Sequence, residues 1–180
     1  MSDIKLINGN FFEESQKLQE NYYDLILADV PWIEDLKGSN DYHRIFDILK
    51  RLLHKDGTLI IDVSTSSSIV ALLHYAVISS SIMFMSKVLV WIDETKDSFG
   101  NILLLTKDES LFKTGNIVKI DGKEKLYNEL LGSSQKGIQV LDPFMGTGSC
   151  GIVCKRFELN YTGIEIDKEK FEETRKAIYG

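Results

Sequence analysis

The most constraining stretch lies near the end of the 180-residue chain: Val140-Leu141-Asp142-Pro143-Phe144-Met145-Gly146-Thr147-Gly148-Ser149. Residues 138–141 form an apolar run that reads as a short buried strand. The run stops at an acid, passes a glycine-rich turn and enters a segment where Cys150, Val153, Cys154 and Phe157 recur at helical spacing. Strand, glycine loop and helix in that order predict the crevice at the carboxyl end of an α/β sheet, where such folds bind ligands. The loop is not a phosphate cradle, because it lacks Gly-x-x-x-x-Gly-Lys-Ser/Thr. Nor do Gly146, Gly148 and Gly151 stand where a dinucleotide loop would put them relative to the strand-end acid. A carboxylate just ahead of the glycines repels a pyrophosphate but suits an ammonium group. Downstream, Tyr161-Thr162-Gly163-Ile164-Glu165 reads as a second strand, ending in an acid able to hold a ribose diol. A ligand that carries both an ammonium group and a ribose is S-adenosylmethionine.

Far upstream, Asp24-Leu25-Ile26-Leu27-Ala28 is a continuous apolar strand that delivers Asp29-Val30-Pro31-Trp32 at its carboxyl end. With Asp142 to Ser149 and Gly163-Ile164-Glu165-Ile166-Asp167, this tetrapeptide resembles the signature of the S-adenosylmethionine-dependent amino DNA methyltransferases. Members methylate adenine N6 or cytosine N4. The catalytic motif precedes the cofactor motif, which is the permuted order of the β group, and the resemblance covers nearly the whole chain.

The resemblance implies roles for named residues. An aromatic amine is a poor nucleophile because its lone pair is delocalised into the ring. Two acceptors on its two N–H groups, here Asp29 and the Val30 carbonyl, favour a pyramidal nitrogen aimed at the methyl. Pro31 fixes the turn, and Trp32 stacks on a base taken out of its stack. Asp142 meets the methionine ammonium, directly or through water, and Phe144 with the Gly146-Thr147-Gly148 backbone lines the methionine channel. Pro143 and Ile166 belong to the same cofactor-binding set, and Glu165 holds the ribose. Gly9-Asn10 stands where the family has Gly-Asp reading the cofactor adenine; an Asn oxygen accepts equally from an amine, and a simple turn is the alternative.

Three departures from the family stand out. Val30 replaces a proline, which keeps the carbonyl but loses rigidity; Pro31 still biases Val30 towards an extended conformation. The His-Pro-Thr-Gln-Lys-Pro-like stretch before the next helix is replaced by Val118-Lys119-Ile120-Asp121-Gly122-Lys123. No target-recognition region is inserted, and direct base readout ordinarily needs such an added element.

Taken in order, the chain predicts strands near 4–7, 25–28, 58–63, 87–92, 101–106, 138–141 and 161–165. Between them lie a brief helix after Phe12, a polar loop at 33–40 that is a candidate lid, and a helix over 41–54 stopped by Gly57. Ser64 to Ser68 cap a further helical segment at 69–78, and helices follow at 124–131 and 168–179. The expectation is a Rossmann-like, seven-stranded, mostly parallel sheet with helices on both faces and no separate recognition domain. Strands 87–92 and 101–106 would form its antiparallel edge pair. One domain, 1–180, is expected: a catalytic-motif half (1–108), a short connection (109–122) and a cofactor-binding half (123–180).

Composition sharpens the choice of partner. With 21 basic against 27 acidic residues, a net charge of −6 argues against a stand-alone duplex binder with a broad basic face. Lys37, Lys96, Lys107 and Lys113 fall near predicted loops and are candidate phosphate contacts. Cys150 and Cys154, four apart on a predicted helix, read as small buried apolar residues in a reducing compartment, and no metal set is evident. No run is apolar enough to span a membrane, and Met1-Ser2-Asp3 lacks a signal pattern, so a cytoplasmic protein is expected. The expected activity is methyl transfer to a nucleobase amine, adenine N6 in DNA favoured, with short or low sequence specificity. RNA as substrate, a homodimer, and a weak or inactive subunit completing an active partner are the alternatives.

Overall fold

β2 (Tyr23–Asp29) shows why the centre of the sheet forms. Leu25 and Leu27 point to one face and Ile26 and Ala28 to the other, and all four are buried. A strand apolar on both sides demands cover on both sides, the condition of a parallel sheet between two helical layers. In the computed structural model, described here for residues 2–30, 39–64, 85–93, 98–105 and 117–180, that cover is present. α2 (Ser39–Leu52) buries Ile45, Phe46, Leu49 and Leu52 on the Ile26 face, joined there by Phe11 of the single-turn α1 (Phe11–Glu14). On the Leu25 face, α3 (Lys123–Leu131) contributes Leu126, Leu130 and Leu131, and α4 (Ser149–Arg156) contributes Val153 and Cys154. The C-terminal α5 (Lys168–Tyr179) packs on α4 and on the sheet margin, burying Thr174 and Ile178.

The remaining strands are β1 (Ile4–Asn8), β3 (Leu53–Ser64), β4 (Met85–Asp93), β5 (Ser98–Leu105), β6 (Ile117–Ile120), β7 (Gln139–Asp142) and β8 (Asn160–Glu165). They form one sheet in the order β1-β8-β7-β2-β3-β5-β4-β6. β1 through β3 in that order are parallel; β5 alone runs against its neighbours, and β6 is parallel to β4.

Most expected elements lie within a few residues of their sequence positions, and the differences are instructive. Among the described residues the sheet has eight strands rather than seven. The extra one, Ile117–Ile120, occupies the end of the expected connection, where Val118 and Ile120 are buried and Ile117 and Lys119 are exposed. Four residues of alternation are too short to stand out in a sequence, and β4 supplies the pairing that makes them a strand. Strands β4 and β5 are antiparallel as expected, but β6 takes the edge that they were expected to form. Helix α2 begins at Ser39 and ends at Leu52, before Gly57, because Asn21 and Tyr22 donate their N–H groups to the Arg51 and Leu52 carbonyls and β3 starts at once. Pro31, Trp32, most of the 33–40 loop, the 69–78 segment and Lys37, Lys96, Lys107 and Lys113 lie outside the described residues. No helix among the described residues is long and apolar enough to cross a membrane.

Candidate functional site

Strands β7 and β2 are neighbours, yet the chain leaves them in opposite directions, β7 towards β8 and β2 towards β3. That is a topological switch point, and its carboxyl-end crevice is where open α/β sheets bind ligands. A cavity of about 540 Å³ opens there, within the range of small-molecule sites. It is lined from four strand ends: Gly9 and Asn10 after β1, Asp29 and Val30 at β2, Pro143, Phe144 and Gly146 after β7, and Glu165 and Ile166 at β8. Three carboxylates, Asp29, Glu165 and Asp167, face one ammonium, Lys170, among its described lining residues. The cavity therefore favours a cationic ligand.

The loop after β7 is held by its own neighbourhood. Gly146 (φ +54°) and Gly148 (φ +84°) are left-handed, which an L side chain resists. A Cβ on Gly148 would also lie 2.4 Å from the Thr174 methyl of α5. Glu165 accepts the Gly146 N–H on one oxygen and the Asp167 N–H on the other, both at 2.8 Å. Each oxygen keeps a further lone pair. Thr174 donates its hydroxyl to the Gly146 carbonyl at 2.9 Å, bracing the loop from beneath. Asp142 is only 3% exposed. It accepts from the Tyr161 hydroxyl at 3.0 Å and from the Phe144 N–H at 3.3 Å. Burial lifts its pKa to about 7, against those two hydrogen bonds, with Asp29 and Glu165 adding to the rise.

At the end of β2 the partners come from far away in sequence. Asp29 stands level with Asp62 of β3 in the parallel register. Lys123, the first residue of α3, reaches both: its ammonium is 3.4 Å from Asp29 Oδ2 and makes a short contact with Asp62 Oδ2. The Trp91 indole of β4 donates to Asp62 Oδ1 at 2.9 Å, and its ring lies 4.8 Å from the ammonium. Loss of hydration in the crevice, then the Asp62 charge, raise the Asp29 pKa to about 6 against the pull of Lys123. Burial works against the Lys123 charge, but the two carboxylates outweigh it and leave its pKa above the ordinary lysine value.

Comparison with known proteins now bears on this geometry. Residues 123–176, which contain the glycine loop, Glu165 and Thr174, match the N6/N4 methyltransferase family, described as DNA methylase. The type II methyltransferase M.HpaI of Haemophilus parainfluenzae is 23% identical over 236 residues, covering 98% of this chain and 74% of that protein. By these matches the chain is similar to the amino-group DNA methyltransferases, most specifically over its C-terminal third. M2.DpnII of Streptococcus pneumoniae is 39% identical over 49 residues, a local match to 27% of this chain and 18% of that protein. Among solved structures, M1.HpyAVI in complex with SAM superimposes with a TM-score of 0.76 at 20% identity, over 98% of this chain and 100% of that one. The cytosine-N4-specific PvuII DNA methyltransferase gives 0.78 at 14%, over 100% and 88%. At such identities these two likenesses speak to the fold, and the fold is that of the amino methyltransferases. The M.HpaI alignment is longer than the present chain, so that relative carries insertions that this chain lacks.

Of the residues singled out in the sequence, the structure brings Asn10, Asp29, Val30, Pro143, Phe144, Gly146, Glu165 and Ile166 to one cavity. Asn10 caps α1, its side-chain oxygen accepting the Phe12 N–H at 2.8 Å, which is the turn alternative; it lines the cavity as well. Asp142 and Gly148 are buried and Thr147 is exposed, and none of the three is among the described residues that line the cavity. Sequence reasoning missed Phe11, Phe12 and Lys170 on the wall, Thr174 under the loop, and the whole Asp62–Trp91–Lys123 cluster. Cys150 and Cys154 are buried with sulfurs 4.0 Å apart, as expected of helix neighbours. Among the described residues no group of His, Cys, Asp or Glu is placed to hold a metal ion.

Proposed function

We propose that this methyltransferase carries a methyl group from S-adenosylmethionine to an exocyclic amine of a DNA base, adenine N6 in preference to cytosine N4, with short or low sequence specificity. The observation that carries the reading is the single cavity shared by the Asp29–Val30 strand end and the Phe144–Gly146 and Glu165–Ile166 loops. Amine acceptors and cofactor-type loops are only useful together.

The residues present suit that cofactor. Glu165 has lone pairs to spare for a ribose diol. Ile166 is 67% exposed at the cavity margin, an apolar surface for an adenine ring. The excess of carboxylates complements a sulfonium and an ammonium. Phe144, packed on Phe11 with ring centroids 5.1 Å apart, gives the methionine side a rigid wall. Asp142 adds negative potential from beneath the loop. When bound, S-adenosylmethionine supplies an electrophilic methyl group on sulfur.

The chain's own residues do the rest. Ionised Asp29 and the Val30 carbonyl would accept the two amine N–H bonds and turn the nitrogen lone pair towards the methyl; for Pro31 and Trp32, outside the described residues, the turn-fixing and base-stacking roles are those that the resemblance implies. The surplus amine proton would leave to solvent. No general base is required in the transfer. The domain reading stands with it: a catalytic-motif half, 1–108, and a cofactor-binding half, 123–180, of one unit.

A second reading has its own observation. The insertions present in M.HpaI and missing here favour recognition supplied by another copy or another subunit. Incubation with methyl-labelled S-adenosylmethionine and mixed single- and double-stranded DNA and RNA, followed by digestion to nucleosides, tests both. Label in N6-methyldeoxyadenosine that is lost with Asp29→Ala supports the first reading. Label in N4-methyldeoxycytidine corrects the base, and label in a ribonucleoside corrects the nucleic acid. Folded protein that binds the cofactor and labels nothing sinks the stand-alone reading in favour of the subunit.

A further inference from the structure

We propose that Lys123 is a positioning residue: clamped by Asp62 and Trp91, it presents its ammonium to Asp29 and holds that carboxylate charged and aimed. The inference rests on the methyl-transfer reading only for what Asp29 then does; the clamp itself stands on geometry.

Five elements converge on the clamp. β2 and β3 place Asp29 and Asp62 side by side. β4 supplies the Trp91 indole, which fixes Asp62 from one oxygen while Lys123 takes the other. β5 supplies room: a Cβ on Gly100 would lie 2.6 Å from the Trp91 ring, so only glycine lets the indole lie there undisturbed. α3 supplies the lysine from its first residue, after Gly122 at φ +138°. Asp62 has no exposed side-chain surface, whereas the Asp29 side chain is 43% exposed. The two carboxylates are thus unequal. A buried carboxylate must have a counter-charge, so Asp62 anchors the ammonium, and what that charge does beyond the anchor falls on Asp29. An exposed lysine would swing between water and any nearby acid; this one is fixed by an ion pair and an aromatic face.

The groups facing Asp29 are Asp62 from β3, Lys123 and the Tyr127 hydroxyl from α3, and Asp142 from β7. Among the described residues, Lys123 is the cation that pairs with Asp29, while Lys170 shares the cavity wall. Removal of Lys123 leaves Asp29 among like charges, which favour protonation, and a protonated carboxyl presents a donor where an amine needs an acceptor.

The test follows the Asp29 side-chain carboxyl by carbon-13 NMR across pH, assigned by difference from Asp29→Asn, with the methyl-transfer pH profile of the same proteins alongside. Lys123→Met should move the Asp29 midpoint up by about one unit or more, and Lys123→Arg should leave it near the wild-type position. Asp62→Asn should move it down, because a like charge is gone while the ammonium remains. The acid limb of kcat/KM should follow each shift. Should Lys123→Met fold poorly, the double variant with Asp62→Asn removes the buried charge too, and its midpoint must still exceed that of Asp62→Asn alone. An unmoved midpoint in both backgrounds, or a shift with Lys123→Arg as large as with Lys123→Met, overturns the proposal. Midpoints that shift as stated in a protein without methyl transfer would uphold the clamp and reject the reaction assigned to Asp29.

Discussion

Two acids end neighbouring strands at the switch point, and they live in opposite surroundings. Asp142, at the end of β7, is sealed behind its loop with neutral partners, the Tyr161 hydroxyl and the Phe144 N–H. Asp29, at the end of β2, opens on the cavity and has a cation for a partner. Both have raised pKa values, to about 7 and about 6. For Asp142 the dominant cause is burial, offset only in part by two hydrogen bonds from neutral donors; for Asp29 it is desolvation and a like charge partly offset by Lys123. Equal placement in the fold does not make equal chemistry. One acid is sealed beneath a loop, the other lines the cavity.

The sharpest way to break this comparison is to remove each acid in turn. Asp29→Ala should cut methyl transfer by roughly 10²–10³-fold or more, as loss of one preorganised polar contact does, while cofactor affinity measured by calorimetry stays near wild type. An equal loss of cofactor affinity would move Asp29 from the amine to the cofactor. Glu165→Ala removes both a loop anchor and the proposed ribose contact, and should weaken cofactor binding by roughly 10–100-fold. Unchanged affinity would leave Glu165 as a loop brace alone.

Smaller effects probe the loop itself. Gly148→Ala meets both a left-handed backbone and the Thr174 methyl, and should cost about 1–3 kcal/mol in urea denaturation. Thr174→Ser, which removes that methyl and keeps the hydroxyl, should recover part of the loss; no recovery would assign the cost to the backbone alone.

Asp142→Asn should show the reverse sign. A carboxyl whose folded pKa is raised binds its proton more tightly in the folded state than in the unfolded one. Its stabilising contribution is therefore complete below about pH 4 and is lost as pH rises through about 7. The apo variant should thus be more stable than wild type at pH 8, on the order of 1 kcal/mol, and little different at pH 4. For the open Asp29, the same sign predicts that activity falls as pH drops through about 6. A flat rate from pH 5 to 8, with chemistry limiting, would argue that Asp29 acts without its charge.

The same contrast explains what was legible in advance. Gly146, Gly148, Glu165 and the Asp167 cap sit within two turns of chain around β7 and β8, and their hydrogen bonds are largely mutual. Local motifs of that kind announce themselves through spacing. Thr174 was hidden because a threonine on the inner stripe of an amphipathic helix looks like any other buried residue. Lys123 was hidden more deeply. It stands 94 residues from Asp29 and 61 from Asp62, in a stretch that reads as a departure from the family pattern. Strand β6, just before it, was missed because pairing with β4, not its own four residues, makes it a strand.

By itself, the sequence determined the alternation of strands and helices, the two-faced burial of β2, and the acid-then-glycine loop, because burial period, left-handed glycines and strand-end carboxylates are properties of neighbouring residues. Tertiary structure alone decided which acid is sealed and which is open, how many strands complete the sheet, and that Lys123, Asp62 and Trp91 meet at Asp29. Charge pairing across strands depends on register and on where helices enter the sheet, and neither is encoded by adjacency along the chain.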